Sequence, residues 1–513
     1  MELQENENSD QSKLIVEHDA TGSEIQVVME EGELDFSSNV CMFGGAQHKR
    51  FISNKIKICN EKEKEKYEKQ LKLLNTEEEI SINHATFEVF GKIPKLRVIE
   101  HPKGKGVFNP LRIRQYLLDG ILHREEAERK ASWMELFFDL IFVGVIGQLG
   151  HTAAHHLDGH GIWEYFIKFA MVWRAWSLQV SINNRFLTND LYSKIYLLII
   201  AAVAIGMSLN IGEAGISSVF IGFYLLNDAV TVFCQFVISL TRRNFLRDLS
   251  CANFSHLLMS LPAIASFAYD GDTRNTLLTI SIILHIYVAL PFNLILHRIA
   301  KPKHRTALNI EHWSERYGGF TIIVLCESVL AILYSEMTTD GYGSSVLGMI
   351  VAASIQWIYF DVDSAKQYLH AVRRSYKTGI LWYCLHLPFH ASIAFSGACL
   401  SVIIQDISGT GKYSKAAQTG YITSVGFIMF FMGLIGLTHQ SLDKKQNRVL
   451  NISKGFRIWL RFGISIVVII IGSVSSGFGY SPTLSVGLLA VMLFSLVVVE
   501  EWGRLETINC RRL

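Results

Sequence analysis

The chain has 513 residues, half of them hydrophobic, and its formal net charge is only +2. A charge so close to zero leaves no electrostatic footprint for nucleic acid, so we expect no nucleic-acid partner. The hydrophobic residues are segregated along the chain, because residues 1 to about 130 are polar whereas residues 133–502 contain repeated apolar stretches. Each stretch has roughly 18–25 residues, enough to cross the hydrocarbon core of a bilayer.

The polar N-terminal region is acidic at its start. Its first 50 residues hold eleven Asp or Glu against three Lys or Arg, with few aromatic residues, a composition typical of disordered segments. Residues 85–118 are compatible with one or two short strands. We predict a largely disordered cytoplasmic region at 1–130, a transmembrane domain at 131–502 and a short basic cytoplasmic tail at 503–513.

The apolar stretches predict an all-α, polytopic bundle of about twelve transmembrane helices. In chain order they are 133–151, 162–182, 194–213, 216–240, 254–270, 275–296, 317–335, 344–362, 379–404, 419–438, 457–478 and 483–501. We expect the lipid bilayer to be the main partner of these segments.

Lys and Arg residues predict the orientation, since cytoplasmic connections of membrane proteins are enriched in them. The approach to span 1 and the 2–3, 4–5, 6–7, 8–9 and 10–11 connections are basic, whereas most intervening connections carry none. This alternation predicts an even number of spans with both termini in the cytoplasm, and we expect the plasma membrane rather than an organelle. Six spans in each half would make two parallel six-helix repeats.

Ionisable residues within the spans are the first candidates for a functional site, because each costs about 2.5–3.5 kcal/mol on insertion scales. Glu135 and Asp139 are four residues apart and share one face of span 1. Asp139 and Arg174 lie at similar predicted depths in spans 1 and 2, so they could pair. Such a pair would either hold two helices in register or belong to a polar centre, as could Asp228 of span 4.

Glu327 lies near the centre of predicted span 7, where a charge is most costly. Burial disfavours the charged form of a carboxyl group, so Glu327 could be neutral at pH 7. A protonatable carboxyl in mid-membrane suits a proton-coupled transporter. The alternative is a protonated side chain that makes one hydrogen bond between helices.

His386 and His390 of span 9 are four residues apart and flank Pro388. Two His on one face could bind a metal or relay protons. No third ligand is identifiable, so we favour a packed, hydrogen-bonded pair and predict no metal and no cofactor. Pro388 and Pro291 interrupt apolar segments, and broken spans mark substrate sites in some transporters.

Five segments of the chain form a distinctive series: "WMELFFDLIFV" at 133–143, "VWRAWSLQVSINNRF" at 172–186, "SERYGGFTIIVLCESVLAI" at 314–332, "QWIYFD" at 356–361 and "LHLPFHASIAFSG" at 385–397. Together they resemble the low temperature requirement A (LtrA) family. The resemblance covers residues 130–500 in the right order, although Cys326 stands where the family pattern has Gly.

The resemblance implies a multi-pass membrane protein linked to growth in the cold, and it implies no substrate. By similarity, the positions expected to matter are Glu135, Asp139, Asn184, Arg185, Glu315, Arg316, Glu327, Asp361 and His386. Asp361 ends span 8, where it could also be merely solvated.

Three functions remain open on the sequence. The first is a transporter or channel for an ion or small solute, for which Glu327, Asp139 and Arg174 should converge on a polar cavity. The second is an intramembrane enzyme, but no GxSxG, HExxH or DxxD motif is present, so we expect no enzymatic activity. The third is a membrane-stress protein without flux, in which every buried charge is paired.

Overall fold

The structure is a computed structural model that describes residues 14–18, 24–28, 95–98, 113–118, 121–124, 131–186, 190–212, 215–334, 341–362, 371–406, 414–439, 451–478 and 481–505. The chain divides into two units, Met1–Glu77 and Glu78–Leu513. In the first unit, strands β1 (Leu14–His18) and β2 (Glu24–Val28) pair antiparallel. All other described elements belong to the second unit.

Twelve long helices form the second unit, as predicted. The first six are α1 (Trp133–His155), α2 (Gly159–Arg185), α3 (Leu191–Leu209), α4 (Ser218–Thr241), α5 (Leu246–Ala265) and α6 (Gly271–Ala300). The others are α7 (Ile310–Tyr334), α8 (Gly341–Trp357), α9 (Tyr376–Gln405), α10 (Ser414–Thr438), α11 (Lys454–Phe478) and α12 (Pro482–Arg504). A single helical turn, Ala371–Arg374, precedes α9.

Eleven of these helices are long and apolar enough to cross a membrane among the described residues. The exception is α2, which spans 27 residues but carries Glu164, Lys168 and Arg174. Because all three side chains are buried, α2 is lined by protein rather than lipid. Large apolar side chains on other helices, such as Leu140 and Trp459, face outward, as expected for lipid contact. The chain is therefore a multi-pass integral membrane protein.

Short polar side chains start many of the helices. Ser132 and Glu135 form a reciprocal capping box at α1, and Asp158 and Asp190 accept backbone hydrogen bonds at α2 and α3. These caps satisfy amide groups that a helix leaves open at its first turn. The hydrogen bond from the Gly161 amide also lowers the pKa of Asp158, which lies in the 1–2 connection.

A small sheet lies at the end of the bundle where α1 begins. It contains β3 (Lys95–Val98), β4 (Tyr116–Leu118), β5 (Ile121–Arg124) and β6 (His304–Thr306) in the order β3-β5-β4-β6. The sequence of residues 85–118 was compatible with one or two strands, and β3 and β4 lie there, whereas β5 and β6 were not predicted. Antiparallel pairing of β4 with β6 joins the segment before α1 to that connection.

The helices of the two halves pack in corresponding pairs. In the first half α1 packs on α3, α3 on α4, α4 on α5 and α2 on α6. In the second half α7 packs on α9, α9 on α10, α10 on α11 and α8 on α12. This correspondence is compatible with the predicted parallel repeat, which stays a prediction. Helices α2 and α9 are the most enclosed, since 19 of the 27 residues of α2 and 19 of the 30 residues of α9 are buried.

The two prolines have different consequences. The prediction that Pro388 interrupts its span is wrong, because α9 is one continuous helix of 30 residues with Pro388 inside it. In α6, a five-residue π-helical turn, Leu284–Val288, precedes Pro291. Such wide turns are rare and often lie at functional sites.

Candidate functional site

Asp139 of α1 forms a buried ion pair with Arg316 of α7. Arg316 donates from Nη1 to Oδ2 at 2.5 Å and from Nη2 to Oδ1 at 2.6 Å, and Trp176 donates from Nε1 to Oδ1 at 3.0 Å. This two-pronged geometry is the strongest form of such a contact. The expected Asp139–Arg174 pair is therefore not formed, because Asp139 faces α7.

The same network continues toward the start of α1. Glu135 Oε1 lies 3.2 Å from His312 Nε2, and Arg316 Nη2 donates to the Glu135 carbonyl oxygen at 3.4 Å. Asn184 accepts from the Asn309 amide at 2.8 Å and donates to the Asn309 carbonyl oxygen at 2.8 Å. These residues join α1, α2 and α7.

Arg174 belongs to a second buried network, which lies between α2, α4, α5 and α6. It pairs with Asp228, which also accepts from Ser260 Oγ at 3.0 Å. His285 Nε2 lies 3.8 Å from Asp228 Oδ2, and His256 Nδ1 lies 3.4 Å from Arg174 Nη2. His285 occupies the π-helical turn of α6. Asp228 was a candidate, but His256, Ser260 and His285 were not.

Glu327 of α7 differs from the other buried carboxylates. Its side chain is only 7% exposed, and among the described residues none is hydrogen-bonded to its Oε2 atom. Every other buried carboxylate in the described ranges has a hydrogen bond or an ion pair, as at Glu164 and Asp190. Glu327 lies closer to the end of α7 than predicted, because the polar residues 310–316 are helical too.

Glycines of two helices surround the Glu327 side chain. Gly147 and Gly150 of α1 and Gly397 of α9 face it. Asp139 in turn faces Gly319 of α7, at a distance of 3.9 Å from a Cβ placed there. Helices α1 and α7 therefore each place a carboxylate against a glycine of the other helix. Asp139 faces Gly319 and Gly147 faces Glu327, and the two positions lie eight residues apart on each helix.

We expect Gly397→Ala to destabilise the protein by about 1–3 kcal/mol through overpacking. The new methyl group would lie 2.7 Å from both Glu327 Cγ and the Ser328 backbone nitrogen. Gly144→Ala in α1 is the matched control, because its Cβ meets nothing within 4 Å, and we expect no loss there. The measurement is unfolding of the purified protein in mixed micelles by SDS titration, and equal behaviour of the two variants would contradict the prediction.

The two span-9 histidines are hydrogen-bonded separately. Trp173 donates from Nε1 to His390 Nδ1 at 2.9 Å, and Thr321 Oγ1 lies 3.0 Å from His390 Nε2. His386 Nε2 lies 3.0 Å from Tyr359 Oη. Both rings are therefore packed and hydrogen-bonded to neighbouring side chains, in line with the interpretation favoured from the sequence. No cluster of three His, Cys, Asp or Glu suited to a metal occurs in the described part of the chain.

The remaining candidates lie apart from these networks. Glu315 is exposed on α7, and the side chain of Asp361 lies outside the described residues. Glu327, Asp139 and Arg174 do not meet in one network among the described residues. Asp139 and Arg174 have separate partners, and a cavity in the described part of the chain is lined by none of the three.

That cavity measures about 60 Å³ and lies where the 4–5 and 6–7 connections meet the bundle. Its polar lining includes Arg185, Gln235, Asp248, Asn293 and His297. Only Arg185 was a candidate. The spacing of residues along α5 could have indicated this site. Asp248, Ala252, His256 and Ser260 recur every fourth residue, which places them on one face of the helix.

Comparison with known proteins supports the family resemblance. A family model described as "Bacterial low temperature requirement A protein (LtrA)" matches residues 130–499. This range includes all twelve helices except the last residues of α12. No curated protein and no solved structure matches the chain.

Proposed function

The chain belongs to the low temperature requirement A family, and we propose that it is a proton-coupled transporter or channel for a small solute or ion. In this proposal Glu327 is the carboxyl group that binds and releases the proton. Asp139, Arg174, Asp228 and Arg316 form paired ions that hold the neighbouring helices together.

The observation that carries the proposal is the missing partner of Glu327. A carboxyl group in a span is costly, and such groups are usually paired or functional. Glu327 is buried, with no hydrogen bond to Oε2 among the described residues. A carboxyl without a fixed partner can gain or lose a proton without breaking an ion pair, which a carrier of protons needs.

The glycines around Glu327 support the same function. A side chain at Gly150 would occupy the space of the Glu327 carboxyl group, and one at Gly397 would collide with Glu327 Cγ and with the backbone at Ser328. Small residues at a helix crossing let the helices approach closely and shift with little steric cost. Protonation of Glu327 could therefore change the packing of α1, α7 and α9.

The competing function is a membrane-stress protein without flux. It is favoured by the pairing of the other buried charges, such as Asp139 with Arg316. The enzyme alternative has no comparable support, because His386 and His390 are each engaged by neighbouring side chains.

Flux measurements on the full chain in proteoliposomes test the proposal. Vesicles loaded with a pH-sensitive dye are given a pH gradient, with a panel of ions and small solutes outside. We expect a solute- or ion-dependent proton movement that Glu327→Gln abolishes. Asp270→Asn is the control, because this carboxylate is exposed and should leave the flux unchanged. No flux under any gradient would favour the competing function, and undiminished flux in Glu327→Gln would exclude Glu327 as the carrier.

A further inference from the structure

Three neighbouring helices carry polar residues on the faces that they turn toward one another. On α5 these are Asp248, His256 and Ser260, and on α6 they are His285, Asn293 and His297. Intervals of four or eight residues place the members of each set on one helix face. On α4, Asp228, Thr231 and Gln235 form the third set.

The inner end of this polar stripe is the Arg174–Asp228 network. Asp228 there contacts Arg174 of α2, Ser260 of α5 and His285 of α6. The rings of His256 and His285 stack with centroids 6.4 Å apart. Tyr224 of α4 also packs against Arg174, with the guanidinium carbon 5.5 Å from the centre of its ring.

The outer end of the stripe is the 60 Å³ cavity. Asp248 Oδ2 accepts two hydrogen bonds from Thr306, each at 2.9 Å, and its Oδ1 faces His297 Nε2 at 3.2 Å without hydrogen-bond orientation. Gln235 Oε1 and Asn293 Oδ1 have no hydrogen-bond partner among the described residues. Gln235, Asp248 and His297 are all more than nine-tenths buried.

A buried cavity with polar walls is expected to contain ordered water. Buried polar atoms without a protein partner are usually satisfied by ordered water, and a volume of this size holds a few molecules, each needing two to four polar contacts. Ala252 of α5 lines the cavity, and His256 of the inner network lies one turn further along the same helix. The two ends of the stripe, Asp248 and Ser260, lie about 18 Å apart along α5.

We propose that Gln235, Asp248, Asn293 and His297 form a hydrated vestibule through which protons reach Asp228 from the end of the bundle that carries β6. A proton arriving as hydronium passes along water to the Asp228 carboxylate or to the imidazole of His256 or His285. Protonation of Asp228 would weaken its pair with Arg174. The role for protons rests on the proposed function, whereas the hydration of the vestibule does not.

Hydroxyl-radical footprinting of the wild-type chain in nanodiscs tests the hydration. X-ray radiolysis converts water to radicals that oxidise adjacent side chains, which are then located by mass spectrometry. Phe186 is 1% exposed and lines the cavity, whereas Phe389 is equally inaccessible and packs among aromatic rings. We expect oxidation of Phe186 and His297, with Phe389 and His390 at background. Equal protection of all four residues would overturn the vestibule.

The proton role is tested in the dye-loaded proteoliposomes. Gln235→Leu places an apolar side chain in the vestibule, and we expect it to lower both proton flux and oxidation of Phe186. A normal flux with lowered oxidation would overturn the proton role. A dry footprint with flux that still depends on Glu327 would refute the vestibule and leave the proposed function standing. Oxidation of Phe186 and His297 without any flux would support the hydrated vestibule. It would contradict both the proposed function and the role for protons.

Discussion

Replacing Asp139 with Asn is expected to destabilise the protein by about 3–5 kcal/mol, because it leaves a buried guanidinium without its counter-charge. Arg316 is 2% exposed and its two terminal nitrogens both donate to Asp139. The amide oxygen of Asn can accept one of these hydrogen bonds but carries no charge. SDS titration of the purified protein in mixed micelles measures the loss.

Two controls distinguish the loss of this ion pair from the general effect of removing a carboxylate. Glu315→Gln removes an exposed carboxylate next to Arg316, and we expect a change of less than about 1 kcal/mol, as for most surface charges. The double variant Asp139→Leu with Arg316→Met removes both charges, which is often nearly neutral for a buried pair. A single Asp139→Asn variant as stable as wild type would show that α1 and α7 are not held by this pair.

The membrane spans could be predicted from the sequence because their determinant is local. Twelve apolar segments correspond to twelve helices, and even α2, whose composition is the least apolar, was identified. A bilayer requires every backbone amide in a span to be hydrogen-bonded within its own helix. Length and hydropathy therefore suffice, without any knowledge of which helices are neighbours.

The partners of the buried charges could not be predicted in the same way. Depth along a span follows from counting residues, and by depth alone Asp139 and Arg174 were possible partners. The direction in which each side chain points depends on which helix lies beside it. Asp139 faces α7 and Arg174 faces α4, and these neighbours are far away in the sequence.

The vestibule was missed for a related reason. Asp248 and His297 lie near the ends of their helices, where charged residues are common, and nothing in the sequence distinguishes them from solvated ones. Only the fold shows that β6 covers them, since Thr306 of that strand donates twice to Asp248. Glu327, in contrast, was found from the sequence because a carboxylate inside an apolar segment stands out without any structure.

The second large effect is expected at Glu500 of α12, which balances two arginines of α11. Arg457 donates from Nη1 to Oε2 at 2.8 Å, and Arg461 donates from Nε to Oε1 at 2.7 Å. Glu500 and Arg461 are each 1% exposed. Glu500→Gln leaves two buried cations facing one neutral amide, so we expect a loss of about 3–5 kcal/mol in the same SDS titration.

The adjacent residue provides the matched control for Glu500. Glu501 is half-buried, accepts from Trp357 Nε1 at 2.8 Å and faces a different helix. Glu501→Gln should therefore cost only about 1 kcal/mol, a typical value for a partly exposed hydrogen bond. Two carboxylates that are neighbours in sequence would then differ severalfold in their contribution to stability, because Glu500 is fully buried between two arginines whereas Glu501 is only half-buried. If both variants lost the same stability, the burial of the Glu500 cluster would not be what joins α11 to α12.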